Sequence, residues 1–362
     1  MSSGLHRTPL YDRHQRHGAR FVPFAGYEMP VQYQGVVAEH EAVRTSVGLF
    51  DVSHMGELWL RGPDATRLVD RLITNDLGRL PVGKGLYTCC CKEDGGILDD
   101  LIVYRVGAEE VLVVCNASNR AKIVAHFEAH CPPRSCADES DLTALIAVQG
   151  PRALATVARL TSEPLPAKRF EIGRFELAGA PCWVARTGYT GEDGVEIFCP
   201  NANAGPLWDA LLSAGSEFGA TPVGLAARDT LRLEARLALY GNDIDESTHP
   251  YEAGLGWTVK PEKAEFVGKA ALAERRKDAE RTLVGFQMTG RGVARHGYPL
   301  LDIAGKPVGH CTSGAPSPTL GQNIGLGYLP LALASIGTSF LVDCRGRQVS
   351  ARVVSTPFYK RD

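Results

Sequence analysis

The sequence has 362 residues, 44% hydrophobic and 22% charged, which is the balance of a chain with cores to bury and excludes disorder or a fibrous repeat. At about 100–200 residues per domain the length calls for two or three domains and excludes a lone binding module. Forty-one acids against 39 bases give a formal charge of −2, so no basic stripe for nucleic acid is present and clusters such as Glu274-Arg275-Arg276-Lys277 read as solvated helix faces.

The chain opens on Met1-Ser2-Ser3-Gly4-Leu5-His6, which has no apolar signal core, and no stretch reaches roughly 18 uninterrupted apolar residues. No membrane span is expected, and the location that follows is cytoplasmic, or organellar after processing. From Glu39 to Phe50 the apolar positions Ala42, Val43, Val47 and Phe50 keep helical spacing, and Gly48 marks the closing turn. Residues 57 to 61 alternate like a strand, and Ala65, Leu68, Val69 and Leu72 share one side of a helix over 64 to 73. Two strands follow, Leu86 to Cys91 and Ile97 to Val106, joined by Lys92-Glu93-Asp94-Gly95-Gly96 as a hairpin. In the run Cys89-Cys90-Cys91 successive side chains point to opposite faces, so it is neither a disulfide framework nor a metal knuckle. The ten cysteines are read as reduced, mostly buried thiols, and no metal motif is present.

A strand at Glu110 to Cys115 and a helix at Lys122 to His130 complete an α+β unit. Thr143 to Val148 begins a new strand, broken by Gln149-Gly150-Pro151. Short strands at Cys182 to Arg186 and Val195 to Cys199 flank a loop of Gly, Thr and acids, and Leu225 to Leu239 has a helix composition ended by Gly241. Beyond Ala279 short apolar strands (Leu283 to Met288, Ser339 to Val342, Val349 to Val354) separated by Gly and Pro predict a distinct β domain.

Phosphate loops, dinucleotide fingerprints, nucleophile elbows and paired-His zinc motifs are absent from the sequence. What remains is polar residues set in apolar strands. Asp99 and Asp100 lie within Ile97-Leu98-Asp99-Asp100-Leu101-Ile102, so they leave the strand on opposite faces and at least one carboxylate stands among apolar neighbours. Periodicity does not choose between a strand-end pair bonded to backbone and a functional acid, nor between the two aspartates. The second constellation is Arg186-Thr187-Gly188-Tyr189-Thr190-Gly191-Glu192-Asp193-Gly194-Val195-Glu196, in which glycines permit tight turns, Tyr189 offers a stacking face and Glu196 sits inside a strand. A rigid carboxylate of that kind suits bidentate pairing with the amidine edge of a purine or pterin; a solvated hairpin loop is the bland alternative. Arg228 and Asp229 precede Arg232 and Arg236 at helical spacing, and Arg228 either clamps a substrate carboxylate or pairs along its own helix. His54 lacks any partner at ligand spacing, and structural hydrogen bonding is expected of it.

Taken together, Pro23-Phe24-Ala25-Gly26-Tyr27, Gly48-Leu49-Phe50-Asp51-Val52-Ser53-His54-Met55, Gly95-Gly96-Ile97-Leu98-Asp99-Asp100-Leu101, the Thr187 to Glu196 loop, Ala227 to Glu234 and Thr312-Ser313-Gly314 through Gly321 resemble the T proteins of the glycine cleavage system, nearly end to end. The resemblance implies an α+β fold of three lobes in a cloverleaf: an antiparallel N-terminal lobe of residues 1–53 and 143–270, a ferredoxin-like insertion of 54–142, and a C-terminal β barrel or jelly roll of 280–362. It implies an aminomethyltransferase that moves the one-carbon unit of an aminomethyl group on the lipoylated H protein to tetrahydrofolate, yielding 5,10-methylenetetrahydrofolate, ammonia and dihydrolipoyl H protein, without a metal. By the same resemblance Asp100, and not Asp99, faces the reacting folate nitrogen. Tyr87, Asn116, Tyr189 and Glu196 match pterin-pocket residues, and Arg228 matches the arginine at the folate end. Two rivals share the fold. A folate-dependent demethylase usually departs from the Asp-Asp and Arg-Thr-Gly-Tyr-Thr-Gly-Glu-Asp patterns kept here, and a non-enzymatic folate-binding iron-sulfur assembly factor carries Lys-Gly-Cys-Tyr where this chain has Arg186-Thr187-Gly188-Tyr189.

Overall fold

The computed structural model describes residues 4–361, which fall into two compact units. The first runs to Leu72 and adds Asp76–Thr88 and Leu101–Arg228; the second gathers Ile73–Asn75, Cys89–Asp100 and the chain from Asp229 onward.

In the first unit a six-stranded sheet runs in the order Ile172–Leu177, Ala180–Ala185, Gly194–Pro200, Thr143–Gln149, Gly48–Asp51, Thr221–Pro222. The pairings are antiparallel except the last, which is parallel. Alternation decides which side chains are committed to the core. Ala144, Ile146 and Val148 join Val195 and Ile197 in one apolar cluster with Leu207, Trp208 and Leu211 of the helix Asn201–Ala214. Glu196 and Phe198, one residue out of phase, emerge on the opposite face, where the Phe198 ring meets Tyr104 edge-on at 6.1 Å. Tyr104 belongs to a five-stranded sheet ordered Lys84–Cys91, Ile97–Arg105, Glu110–Cys115, Gly56–Arg61, Cys136–Asp138, flanked by the helices Ala65–Leu72 and Arg120–His130. Trp59 of this sheet lies 6.1 Å from Trp183 of the other. The α+β character of this part is as expected.

The expected helix over residues 39–50 is two elements. A helix Val36–Thr45 stops at Ser46, whose backbone is non-helical, and Gly48–Asp51 is a strand buried along its whole length. Apolar spacing alone could not separate a buried strand from a further helical turn. Gly48 is there for closeness: a Cβ at that position would lie 2.5 Å from Val43 Cγ2 and 2.6 Å from Val223 Cγ2. The helix expected to reach Leu239 ends at Glu234, because Arg236 has a left-handed backbone (φ 56°) that no helix continues through. The helix Asn201–Ala214 escaped sequence reading because Gly205 and Pro206 sit in its first half. There the Arg13 guanidinium packs so near Gly205 that a Cβ would approach within 2.3 Å.

The second unit holds the predicted β domain. Arg281–Met288, Gln322–Pro330, Pro307–Ser317, Pro299–Leu301, Ser339–Asp343 and Gln348–Val354 form a closed barrel, completed where its first and last strands pair. Phe286, Leu300, Phe340, Val342 and Ala351 fill it. Outside the barrel Arg232 and Asp243 form a buried pair (2.6 Å); Asp243 also accepts hydrogen bonds from the Thr312 and Ser313 hydroxyls and the Leu239 N–H. All ten cysteines are free thiols, and all but Cys136 and Cys344 are buried. No helix among the described residues is long and apolar enough to cross a membrane.

Candidate functional site

The loop of residues 186–194 is held from beneath by a residue that sequence reading passed over. Gln149, wholly buried at the end of the strand Thr143–Gln149, donates from its amide nitrogen to the carbonyls of Thr187 (3.1 Å) and Val195 (3.3 Å) and accepts from the Thr190 hydroxyl (3.0 Å). The loop glycines make room for this amide. A Cβ on Gly188 would stand 1.9 Å from Gln149 Oε1 and one on Gly194 2.4 Å from its Nε2, while only Gly191 needs a left-handed backbone (φ 84°). From outside, Arg44 donates to the Thr190 carbonyl (2.7 Å) and to the Glu192 carboxylate (2.8 Å), and Arg186 pairs with Asp193 (2.9 Å). The bland reading, a solvated hairpin loop, does not describe this segment. Gly188→Ala is expected to displace the Gln149 amide and cost about 1–3 kcal/mol in urea unfolding, the penalty for buried hydrogen-bonding groups left without partners; a stability equal to the parent chain's would mean that the loop can shift without loss.

On this frame sits Glu196. Its Oε2 accepts the Thr187 hydroxyl at 2.5 Å, and that hydroxyl lies 2.8 Å from the Tyr104 hydroxyl. Burial raises the Glu196 pKa, while the Thr187 hydrogen bond and the charge of Arg228 act to lower it. Arg228, in the helix Leu225–Glu234, is depressed by burial against the opposing influence of Tyr189 and Glu196. Its guanidinium lies under the Tyr189 ring, 4.6 Å from the centroid, and its Nη1 is buried with no hydrogen-bond partner among the described residues. The helix-pairing alternative weighed for Arg228 belongs instead to Arg232, which binds Asp229 at 2.7 Å. Glu196, Arg228 and Tyr189 are thus brought together: a carboxylate, a cation with an unspent donor, and an aromatic face.

Of the other expected residues, Tyr87 is half-buried on the strand Lys84–Cys91, and Asn116 is half-buried immediately after Glu110–Cys115. Asp99 is fully buried and Asp100 only partly, and the same side of their strand stays partly accessible at Ile102. Asp100 lies on the stretch grouped with the second unit. His54 departs from expectation. Its Nδ1 finds no hydrogen-bond partner among the described residues, and the ring packs edge-on to Phe24 (5.5 Å) and Tyr27 (6.4 Å). Burial, aided by the Arg228 charge and opposed by Asp51, lowers its pKa to about 4, so it is a neutral packing residue at pH 7. Gln149, Arg44, Thr187 and Tyr104 are the supporting residues the sequence did not reveal; the nearest signal was a lone polar Gln149 closing an apolar run. Among the described residues no group of three or more His, Cys, Asp or Glu is placed to hold a metal ion.

Residues 10–263 match the family described as the GCVT N-terminal domain, and residues 281–360 match the glycine cleavage T-protein C-terminal barrel domain. The chain is similar to the aminomethyltransferase of Rubrobacter xylanophilus, 50% identical over 99% of this chain and 95% of that one. It is likewise similar to that of Bacillus subtilis, 45% identical over 99% of this chain and all of the relative. In three dimensions it resembles the crystal structure of the glycine cleavage system aminomethyltransferase T from Bartonella henselae, with a TM-score of 0.91, 37% identity and 98% of each chain covered.

Proposed function

This chain belongs to the glycine cleavage T-protein family, and we propose from that footing that its acceptor is tetrahydrofolate and its donor the aminomethyl group carried by the lipoylated H protein. It is an aminomethyltransferase of the glycine cleavage system. The products on this reading are 5,10-methylenetetrahydrofolate, ammonia and dihydrolipoyl H protein. The observation that carries it is the half-buried Glu196 set beside Arg228 and Tyr189. A pterin offers a flat ring to an aromatic face and an edge of N–H donors to a fixed carboxylate. Asp100 is assigned the proton at the reacting folate nitrogen and the stabilisation of the cationic carbon, and Tyr87, Asn116, Tyr189, Glu196 and Arg228 the binding of folate. Holding two reactants in line supplies a large part of such a rate enhancement. The chain is read as three lobes, 1–53 with 143–270, 54–142 and 280–362, and as cytoplasmic.

The test is a titration with 5-formyltetrahydrofolate. Binding to the native state alone should raise the melting temperature, with about 2.7 kcal/mol gained at a hundredfold excess over Kd. Glu196→Ala should remove roughly 1–3 kcal/mol of that binding. A chain that responds to NAD or zinc and ignores folates would sink the reading. Turnover that needs aminomethylated H protein separates it from a demethylase, and any turnover separates it from a folate-binding assembly factor.

A further inference from the structure

We propose that Thr187 and Tyr104 are positioning residues that hold Glu196 by one oxygen and leave the other as the acceptor for the ligand. This rests on the folate reading above and goes beyond it, because it assigns roles to two residues outside the folate-binding set named there.

The three side chains come from separate elements of one unit: Tyr104 from the strand Ile97–Arg105, Thr187 from the glycine loop and Glu196 from the strand Gly194–Pro200. A hydroxyl has one hydrogen to give. Thr187 spends its hydrogen on Glu196 Oε2 at 2.5 Å, so across the 2.8 Å contact the Tyr104 O–H must be the donor and Thr187 Oγ1 the acceptor. The chain therefore runs one way, from phenol to hydroxyl to carboxylate, and ends in a charge-assisted bond.

Both relay members are immobilised. Tyr104 is fully buried, packs on Phe198, and fills space over Gly85 so closely that a Cβ there would lie 2.5 Å from the ring. The Thr187 carbonyl is held by Gln149, as described. The groups facing Glu196 are then Thr187 from the loop, Tyr104 behind it and Arg228 from the helix Leu225–Glu234; its cross-strand neighbours Ala147 and Ala185 are uncharged. With Oε2 engaged and the carboxylate plane fixed, Oε1 keeps both lone pairs for a ligand donor.

The experiment measures 5-formyltetrahydrofolate affinity against pH, together with KM for tetrahydrofolate and kcat, in the full chain and three variants. Thr187→Val keeps the shape and removes the hydroxyl; it should weaken folate binding about tenfold, raise KM for tetrahydrofolate and leave kcat nearly unchanged. Without its donor Glu196 protonates more easily. Affinity that depends on the carboxylate is present above its pKa and lost below it, so the acid limb of binding should move to higher pH. Thr187→Ser should restore both affinity and limb. Tyr104→Phe should shift both in the same direction by less, and it carries the test alone if Thr187→Val fails to fold. Wild-type affinity and an unmoved limb in folded Thr187→Val or Tyr104→Phe would overturn the proposal, as would equal losses in the Val and Ser variants. A parent chain that does not bind folate would overturn the functional reading itself, which a parent that binds with indifferent variants would leave standing.

Discussion

Asp100→Asn is expected to cut turnover roughly 10²-fold or more while folate affinity stays near that of the parent chain. The amide keeps the shape and can accept a hydrogen bond, but it cannot carry the negative charge or take a proton. Asp99→Asn should be milder in kcat, because Asp99 leaves the strand on the wholly buried side while Asp100 stays partly accessible. Steady-state kinetics on both variants, normalised to folded protein by near-UV circular dichroism, decides it. If Asp99→Asn loses the larger share of activity, the functional face has been assigned backwards.

Arg232→Met should lower stability by about 3–5 kcal/mol, because removing one partner of a buried ion pair strands the other. Arg232 is 2% exposed and Asp243 0%. The arginine gives Nη1 to Asp243 at 2.6 Å, Nη2 to the Ser313 hydroxyl at 2.8 Å and Nε to Asp229 at 2.8 Å. Urea unfolding of the single variant and of Arg232→Met with Asp243→Leu checks the cause: the double variant should recover part of the loss, since no uncompensated charge remains. A single-variant loss below about 1 kcal/mol would mean that Asp243 is satisfied by Thr312, Ser313 and the Leu239 N–H alone.

These two arginines show where sequence reading reaches its limit. Arg228 and Arg232 are one helical turn apart and equivalent by spacing, yet one is paired on two sides and the other keeps a buried donor unspent. Only tertiary partners far along the chain, Asp243 and Ser313 for Arg232, distinguish them. Asp99 and Asp100 were left open by alternation for a related reason, since period two separates faces without saying which is open. Three of the six barrel strands were legible because Gly and Pro punctuate them, while Gln322–Pro330 was missed because its own glycines, Gly325 and Gly327, read as a turn, and Gly48–Asp51 was absorbed into a helix because a strand buried throughout has no polar beat to count. Glu196 was visible as an acid in an apolar strand. Gln149, Thr187 and Tyr104 were not, because a hydrogen-bond partner 38, 46 or 83 positions away leaves no local pattern.

The seat of the Gln149 amide against Gly188 and Gly194 limits how this loop can drift over generations. A methyl at Gly188 collides with the Gln149 side chain alone, so that obstacle is removable by a change 39 positions earlier in the chain, whereas one at Gly194 would also meet the Val148 carbonyl at 2.4 Å. Shortening Gln149 first would free the space and at the same time release the carbonyls of Thr187 and Val195. Both single steps therefore pass through a weakened intermediate, and the positions should change together or not at all. In a mutational library, Ala at 188 should be enriched only in chains that also carry a smaller residue at 149.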